Sequence, residues 1–158
     1  MVRVMFSMVV ECNAKTVVEF GTRDGFSTRL FSKALEDKGT ITSVDMNKCG
    51  PFEEKNIILV QSSVEDFTLT TPCDILYIDD WHDGFHLYYE LNRFAHMAKT
   101  VMIHDICQDV ELLHAVTEWC RDNWVIYTVY PLNGCGLAVL EIEKSKSFYT
   151  LEDKTTSK

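Results

Sequence analysis

The stretch VVEFGTRDGFSTRLFSKAL, residues 17–35, sets Gly21 and Gly25 four residues apart, directly after a short apolar run and directly before an amphipathic one. The first run reads as a strand and the second as a helix, so the glycines mark the turn between them. Glycine frees a backbone to turn sharply and come close to a ligand, and the first turn of the helix offers unpaired N–H groups and a positive dipole end to an anion. Two familiar phosphate grips do not fit. A phosphate loop needs a lysine after its second glycine, where this chain has Phe26. A dinucleotide loop needs Gly-x-Gly-x-x-Gly, and Thr22, Arg23 and Asp24 leave no such triplet.

Away from this turn, short β-branched runs keep alternating with longer amphipathic ones. Strands are expected near 15–20, 41–45, 57–60, 74–78, 100–104, 124–129 and 136–142, and helices near 26–37, 84–97 and 109–122. Residues 4–10 read as a further helix packed on the sheet. The alternation predicts an α/β fold: a Rossmann-like, mostly parallel seven-stranded sheet with helices on both faces. ILYI and TVMI are unbroken apolar stretches, the pattern of strands buried on both faces. WVIYTVY and GLAVLEI are joined only by PLNGC, which predicts an antiparallel hairpin at the C-terminal edge. One domain is expected over residues 1–143, followed by a polar tail, KSKSFYTLEDKTTSK, over 144–158.

Composition narrows the partners. A chain of 158 residues with 46% hydrophobic content is the size of one compact domain with a full core. A net charge of −9 with no basic run argues against a nucleic-acid backbone or an anionic membrane surface and for a small or neutral substrate. Six cysteines lie scattered without a Cys-x-x-Cys pair, so reduced thiols in a cytoplasmic setting are expected in place of a zinc knuckle or disulfide framework. The opening MVRVMFSMVV runs into ECN without a small-residue cleavage pattern. Its apolar core also falls short of the roughly 20 residues a membrane helix needs.

In a doubly wound sheet ligands bind beyond the carboxyl ends of the strands. Here those positions hold residues 19–27, Asp45, Ser62 and Ser63, residues 79–83, and His104 with Asp105. Asp45 follows the second strand, where a carboxylate can accept both hydroxyls of a ribose, so the expected ligand is a nucleoside without a pyrophosphate. Glu-x-Gly-x-x-x-Gly at 19–25 followed by Asp45 resembles the pattern of class I S-adenosylmethionine-dependent methyltransferases. CDILYIDDWHDGFHLYYELNRFAHMAKTVMIHDI resembles the signature of small-molecule O-methyltransferases related to the macrocin and cephalosporin-biosynthesis enzymes. VQSSVEDF resembles the segment that cups the adenine there, and the resemblance covers about residues 15–140.

That resemblance implies S-adenosylmethionine as cofactor and O-methylation of a small hydroxyl-bearing molecule. It places Glu19, Gly21, Gly25 and Ser27 along the methionine end, Asp45 at the ribose and Ser63 at the adenine side. Asp79 and His82 would stand at the reaction centre, closed by His104 and Asp105. The chain departs from the pattern at Asp80, at Gly84–Phe85 and at Lys99–Thr100, which bear on substrate contacts more than on fold.

Methyl transfer is an in-line displacement, so the protein has to align the acceptor and keep it deprotonated. Histidine suits the second task, and His82, His104 and Asp79 are the expected catalytic residues, with Asp79 or Asp105 fixing a tautomer. His96 and His114 fall within helical stretches and read as structural. Related enzymes of this signature use Mg²⁺, and the acid-rich set Asp79, Asp80, Asp83 and Asp105 could supply its oxygen ligands, Asp79 and Asp105 first among them. Capping of a helix is the alternative reading of these acids. The alternative function is a cofactor-binding domain without independent catalysis, a subunit or sensor, because little sequence remains for a substrate lid. A two-fold homodimer could supply the missing cover through residues 4–10 or the aromatic run Phe85, Tyr88 and Tyr89.

Overall fold

The computed structural model describes residues 1–131 and 134–144; the polar tail from 145 onward lies outside the described residues. In chain order the elements are α1 (Val2–Glu11), β1 (Thr16–Phe20), α2 (Phe26–Leu35), β2 (Thr40–Asp45), β3 (Ile57–Gln61), β4 (Cys73–Ile78), α3 (Gly84–Phe94), β5 (Ala98–His104), α4 (Val110–Asn123), β6 (Ile126–Tyr130) and β7 (Leu137–Glu141). The seven strands form one sheet in the order β3-β2-β1-β4-β5-β7-β6. The first five in that order run parallel, while β7 is antiparallel to both β5 and β6. The α/β fold and the antiparallel edge pair expected from the sequence are both present.

Side-chain alternation along the central strands feeds two cores. Val18, Phe20, Leu76 and Ile78 point to one face, where Leu87, Leu91 and Phe94 of α3 and Leu112, Val116 and Trp119 of α4 cover them. Val17, Ile75 and Tyr77 point to the other, covered by Met5 and Val9 of α1 and Phe31 and Leu35 of α2. Burial on both faces is why these strands carry no polar alternation. Helix α1 therefore spends Met5 and Val9 inside the monomer, and its exposed large apolar side chains are Val2, Phe6 and Val10.

Element ends differ from expectation where the backbone turns left-handed. Helix α2 stops at Leu35 because Glu36 takes φ +52°, and one 3₁₀ turn, Glu36–Lys38, follows. Trp124 takes φ +56° and its N–H bonds back to the carbonyls of Cys120 and Arg121, so α4 ends at Asn123 and β6 begins two residues later than its pattern suggests. At the head of α3, Asp83 accepts a hydrogen bond from the His86 N–H at 2.8 Å. Asp83 is thus a helix cap, and α3 starts too late to place His82 on a helical face with His86.

Strand order reverses between β1 and β4: the chain first winds outward through β2 and β3, then returns to the other side of β1. That reversal opens a crevice at the carboxyl ends of β1 and β4, which positions the site.

Candidate active site

Gly21, at φ +90°, donates its N–H to the Val44 carbonyl at 2.9 Å and carries the chain over the end of β4. A Cβ at this position would collide with the Asp79 carbonyl and stand 2.9 Å from Asp80 Cα. Gly25, at φ +72°, caps α2, and the Phe52 ring occupies the space a Cβ there would need. Both glycines let protein segments close on each other, a role that the reading as pure ligand approach did not include. Gly21 also faces a cavity of about 240 Å³, which Gly25 does not line.

Asp45 ties the same turn from the side. One carboxylate oxygen accepts from the backbone N–H of Thr22 at 3.0 Å and of Arg23 at 3.1 Å, and the other from Asn47 N–H at 2.8 Å. Burial opposes its charge, but these N–H donors prevail and hold its pKa below the usual carboxylate value. The cavity is walled by Asp45, Met46, Asn47, Ser62, Ser63, Asp79 and Trp81, with Gly21 as its floor. Ser63 is present, its hydroxyl engaged with the Asp66 carboxylate at 3.1 Å. Met46 is 60% exposed and Trp81 63%, a large apolar surface for a polar crevice. Met46 was missed in the sequence and Trp81 was included only within residues 79–83; their signal is position, since each directly follows an acidic residue at or just past a strand end.

A second cavity, about 210 Å³, lies across the turn, lined by Met5, Phe26, Ser27, Tyr77 and His104. Arg23 and Asp79 belong to both cavities. Glu19 reaches neither. It is fully buried, and one carboxylate oxygen accepts from Thr28 Oγ1 at 2.6 Å and Ser43 Oγ at 2.5 Å, clamping the first turn of α2 to β2. Burial pushes its pKa up to about 7 against the opposing pull of the neighbouring hydroxyls. The resemblance to methyltransferases groups Glu19 with the methionine contacts; the structure places it buried beneath the loop.

Beyond β4 and β5 four titratable side chains converge. Asp79 Oδ1 lies 2.9 Å from His104 Nδ1, and Asp79 Oδ2 accepts from Tyr77 Oη at 3.1 Å. Asp105, held at φ +56°, brings one oxygen to 3.2 Å from His104 Nδ1 and the other to 2.9 Å from His82 Nε2. His82 Nε2 also stands 3.7 Å from Asp79 Oδ1. Burial of His104 disfavours its charge, but Asp79 and Asp105 outweigh burial and raise its pKa. The carboxylates occupy Nδ1, and Nε2 is buried with no hydrogen-bond partner among the described residues. One ligand atom from each of the four residues falls within 4.8 Å of the rest, close enough to share a cation. Of the other histidines, His114 is exposed beside Glu118 on α4 and His96 is exposed at the end of α3, both away from the crevice.

No protein-family model and no curated protein matches the chain. Solved structures do. An O-methyltransferase from Bacillus cereus in complex with S-adenosylhomocysteine superposes with a TM-score of 0.66 at 11% identity, over 89% of this chain and 80% of that one. An S-adenosylhomocysteine-bound methyltransferase from Podospora anserina gives 0.68 at 11% identity over 89% and 76%. The O-methyltransferase of tomaymycin synthesis from Streptomyces achromogenes, in complex with S-adenosylmethionine, gives 0.63 at 13% identity over 89% and 78%. The chain has the Rossmann-like fold of class I S-adenosylmethionine-dependent O-methyltransferases.

Proposed function

We propose that this chain is an S-adenosylmethionine-dependent methyltransferase that methylates a hydroxyl group of a small molecule. The observation that carries the reading is the Asp79, His82, His104 and Asp105 cluster, standing at the strand-order reversal beside two cavities that share Asp79. Asp45 offers a carboxylate to ribose hydroxyls, while Met46 and Trp81 offer apolar surface to a base. The second cavity, with Ser27, has room for the amino-acid end of the same ligand. When bound, S-adenosylmethionine supplies an electrophilic methyl group. His104 donates a hydrogen bond from Nδ1–H to Asp79, which fixes that ring and the carboxylate beside it. His82, oriented by Asp105 and the more exposed of the two rings, is the base for an acceptor hydroxyl. The carboxylates of Asp79 and Asp105 would supply oxygen ligands to a divalent cation such as Mg²⁺, whose role would be to lower the acceptor's pKa.

Calorimetry with S-adenosylmethionine and S-adenosylhomocysteine tests the cofactor, and a hydrolase-coupled screen of hydroxylated metabolites tests the reaction. Micromolar cofactor binding with turnover is the expected result. Binding without turnover of any acceptor selects the non-catalytic sensor reading, and no binding rejects both. Asp45→Ala should weaken cofactor affinity by about 1.5–3 kcal/mol, roughly 10–150-fold, the worth of a charge-assisted hydrogen bond. No helix among the described residues is long and apolar enough to cross a membrane. All six cysteines are free, which supports a reducing, cytoplasmic setting.

A further inference from the structure

A second set of metal-ligating side chains lies outside the catalytic cluster. His86 and Glu90 are one helical turn apart on α3, so both project from one face toward the loop that follows β4. Asp80 meets them from that loop. His86 Nε2 stands 3.4 Å from Asp80 Oδ2 and 3.6 Å from Glu90 Oε1. Glu90 is fully buried, and both its carboxylate oxygens lack a hydrogen-bond partner among the described residues. Asp80 Oδ1 and His86 Nε2 share that condition. Burying several unsatisfied polar atoms, two of them on one carboxylate, costs stability unless something binds them.

The separations identify what would bind. They are too long for strong hydrogen bonds. They match the edge of a tetrahedron whose N and O ligands lie about 2.1 Å from a central ion, an edge of about 3.4 Å. Mg²⁺ instead favours octahedral oxygen ligands and retains water, whereas an imidazole with carboxylates suits zinc. On the far side of the ring, Glu65 Oε1 stands 3.6 Å from His86 Nδ1, outside hydrogen-bond distance.

We propose that Asp80, His86 and Glu90 form a second divalent-metal site, of the zinc class, in the wall of the cavity beside Gly21 and Asp45. Asp80 and His86 line that cavity, which gives the ion a path in and leaves its fourth position for water. The ion would tie the β4–α3 loop to α3 and so fix Trp81, whose ring centroid lies 5.6 Å from that of His86. This assignment goes beyond the methyltransferase reading and does not depend on it.

Co²⁺, which gives an intense visible band only in tetrahedral sites, is the probe, added to full-length protein whose thiols have been alkylated. The expected result is a one-equivalent band in wild type that Zn²⁺ displaces and that Glu90→Gln and His86→Gln each abolish. Asp105→Asn, in the catalytic cluster, should keep it. Absence of the band in wild type overturns the proposal. So does its persistence in Glu90→Gln, or its loss only in Asp105→Asn. Should Glu90→Gln fail to fold, His86→Gln, at the partly exposed start of α3, carries the same test. Zn²⁺ should also raise the melting temperature of wild type by more than that of His86→Gln.

Discussion

Glu19 shows how a single buried carboxyl couples the fold to pH. Its folded pKa is raised to about 7 from the ordinary 4.5 of a free glutamate, so between those pH values the folded state holds a proton the unfolded state has lost. Stability therefore falls as pH rises from about 4.5 to about 7 and stays reduced above that window. Glu19→Gln keeps an oxygen for the Thr28 and Ser43 hydroxyls and removes the charge. It should raise stability at pH 8 by something on the order of 3 kcal/mol, at about 1.4 kcal/mol per pKa unit, and flatten the slope between pH 4.5 and 7. Urea denaturation across that range checks it; an unchanged slope in the variant would assign the dependence elsewhere. Gly21 sets a different constraint. Gly21→Val would press a branched side chain into the Asp79 carbonyl at a φ of +90°, so the variant should lose at least about 2 kcal/mol of stability. The chemical-denaturation midpoint measures this directly, and a variant as stable as wild type would show that the β4 end can move aside.

Among the elements, α3 has the clearest local grammar. Asp83 caps it, its apolar stripe of Leu87, Leu91 and Phe94 faces the sheet with Tyr88 partly buried against it, and Tyr89 lies exposed off that stripe. Asp83→Ala should cost about 1 kcal/mol, the usual worth of an N-cap, read as a shift in the denaturation midpoint at constant slope. Signals of this kind made the strands and helices legible: β-branched runs, amphipathic periods and glycine turns act over a few residues. The end of α4 was not legible, because an aromatic residue rarely adopts the left-handed conformation that Trp124 takes there. The gathering of Asp79, His82, His104 and Asp105 could be anticipated because each stands at or just past the end of β4 or β5, strands that are neighbours in the sheet. The burial of Glu19 and the gathering of Asp80, His86 and Glu90 could not, since both arise from packing between segments distant in sequence.

For the whole molecule, the distribution of exposed aromatic surface is uneven. Phe85 is 88% exposed and Trp81 63%, with Tyr89 beside them at the crevice rim. The N-terminal segment, by contrast, has its main apolar contacts within the monomer. A two-fold dimer that uses the rim would cover the acceptor side of the crevice, so sedimentation velocity should show a dimer that Phe85→Ser weakens. A strictly monomeric protein that still turns over an acceptor would remove the shared cover from the mechanism.

The sheet order also governs when the site comes into being. Strand β1 is hydrogen-bonded to β2 on one edge and to β4 on the other, and Asp79 is anchored only where β4 seats against β1, its N–H bonding the Phe20 carbonyl at 2.9 Å. Asp45 comes from the first half of the chain; Asp79, His82, His104 and Asp105 come from the second. Such long-range pairing closes late, after the large loop between β1 and β4 has lost its freedom. Ligand affinity on refolding should thus return in step with the last structural phase, never before it, and co-expressed halves of the chain would bind only once they had docked along the seam between β1 and β4.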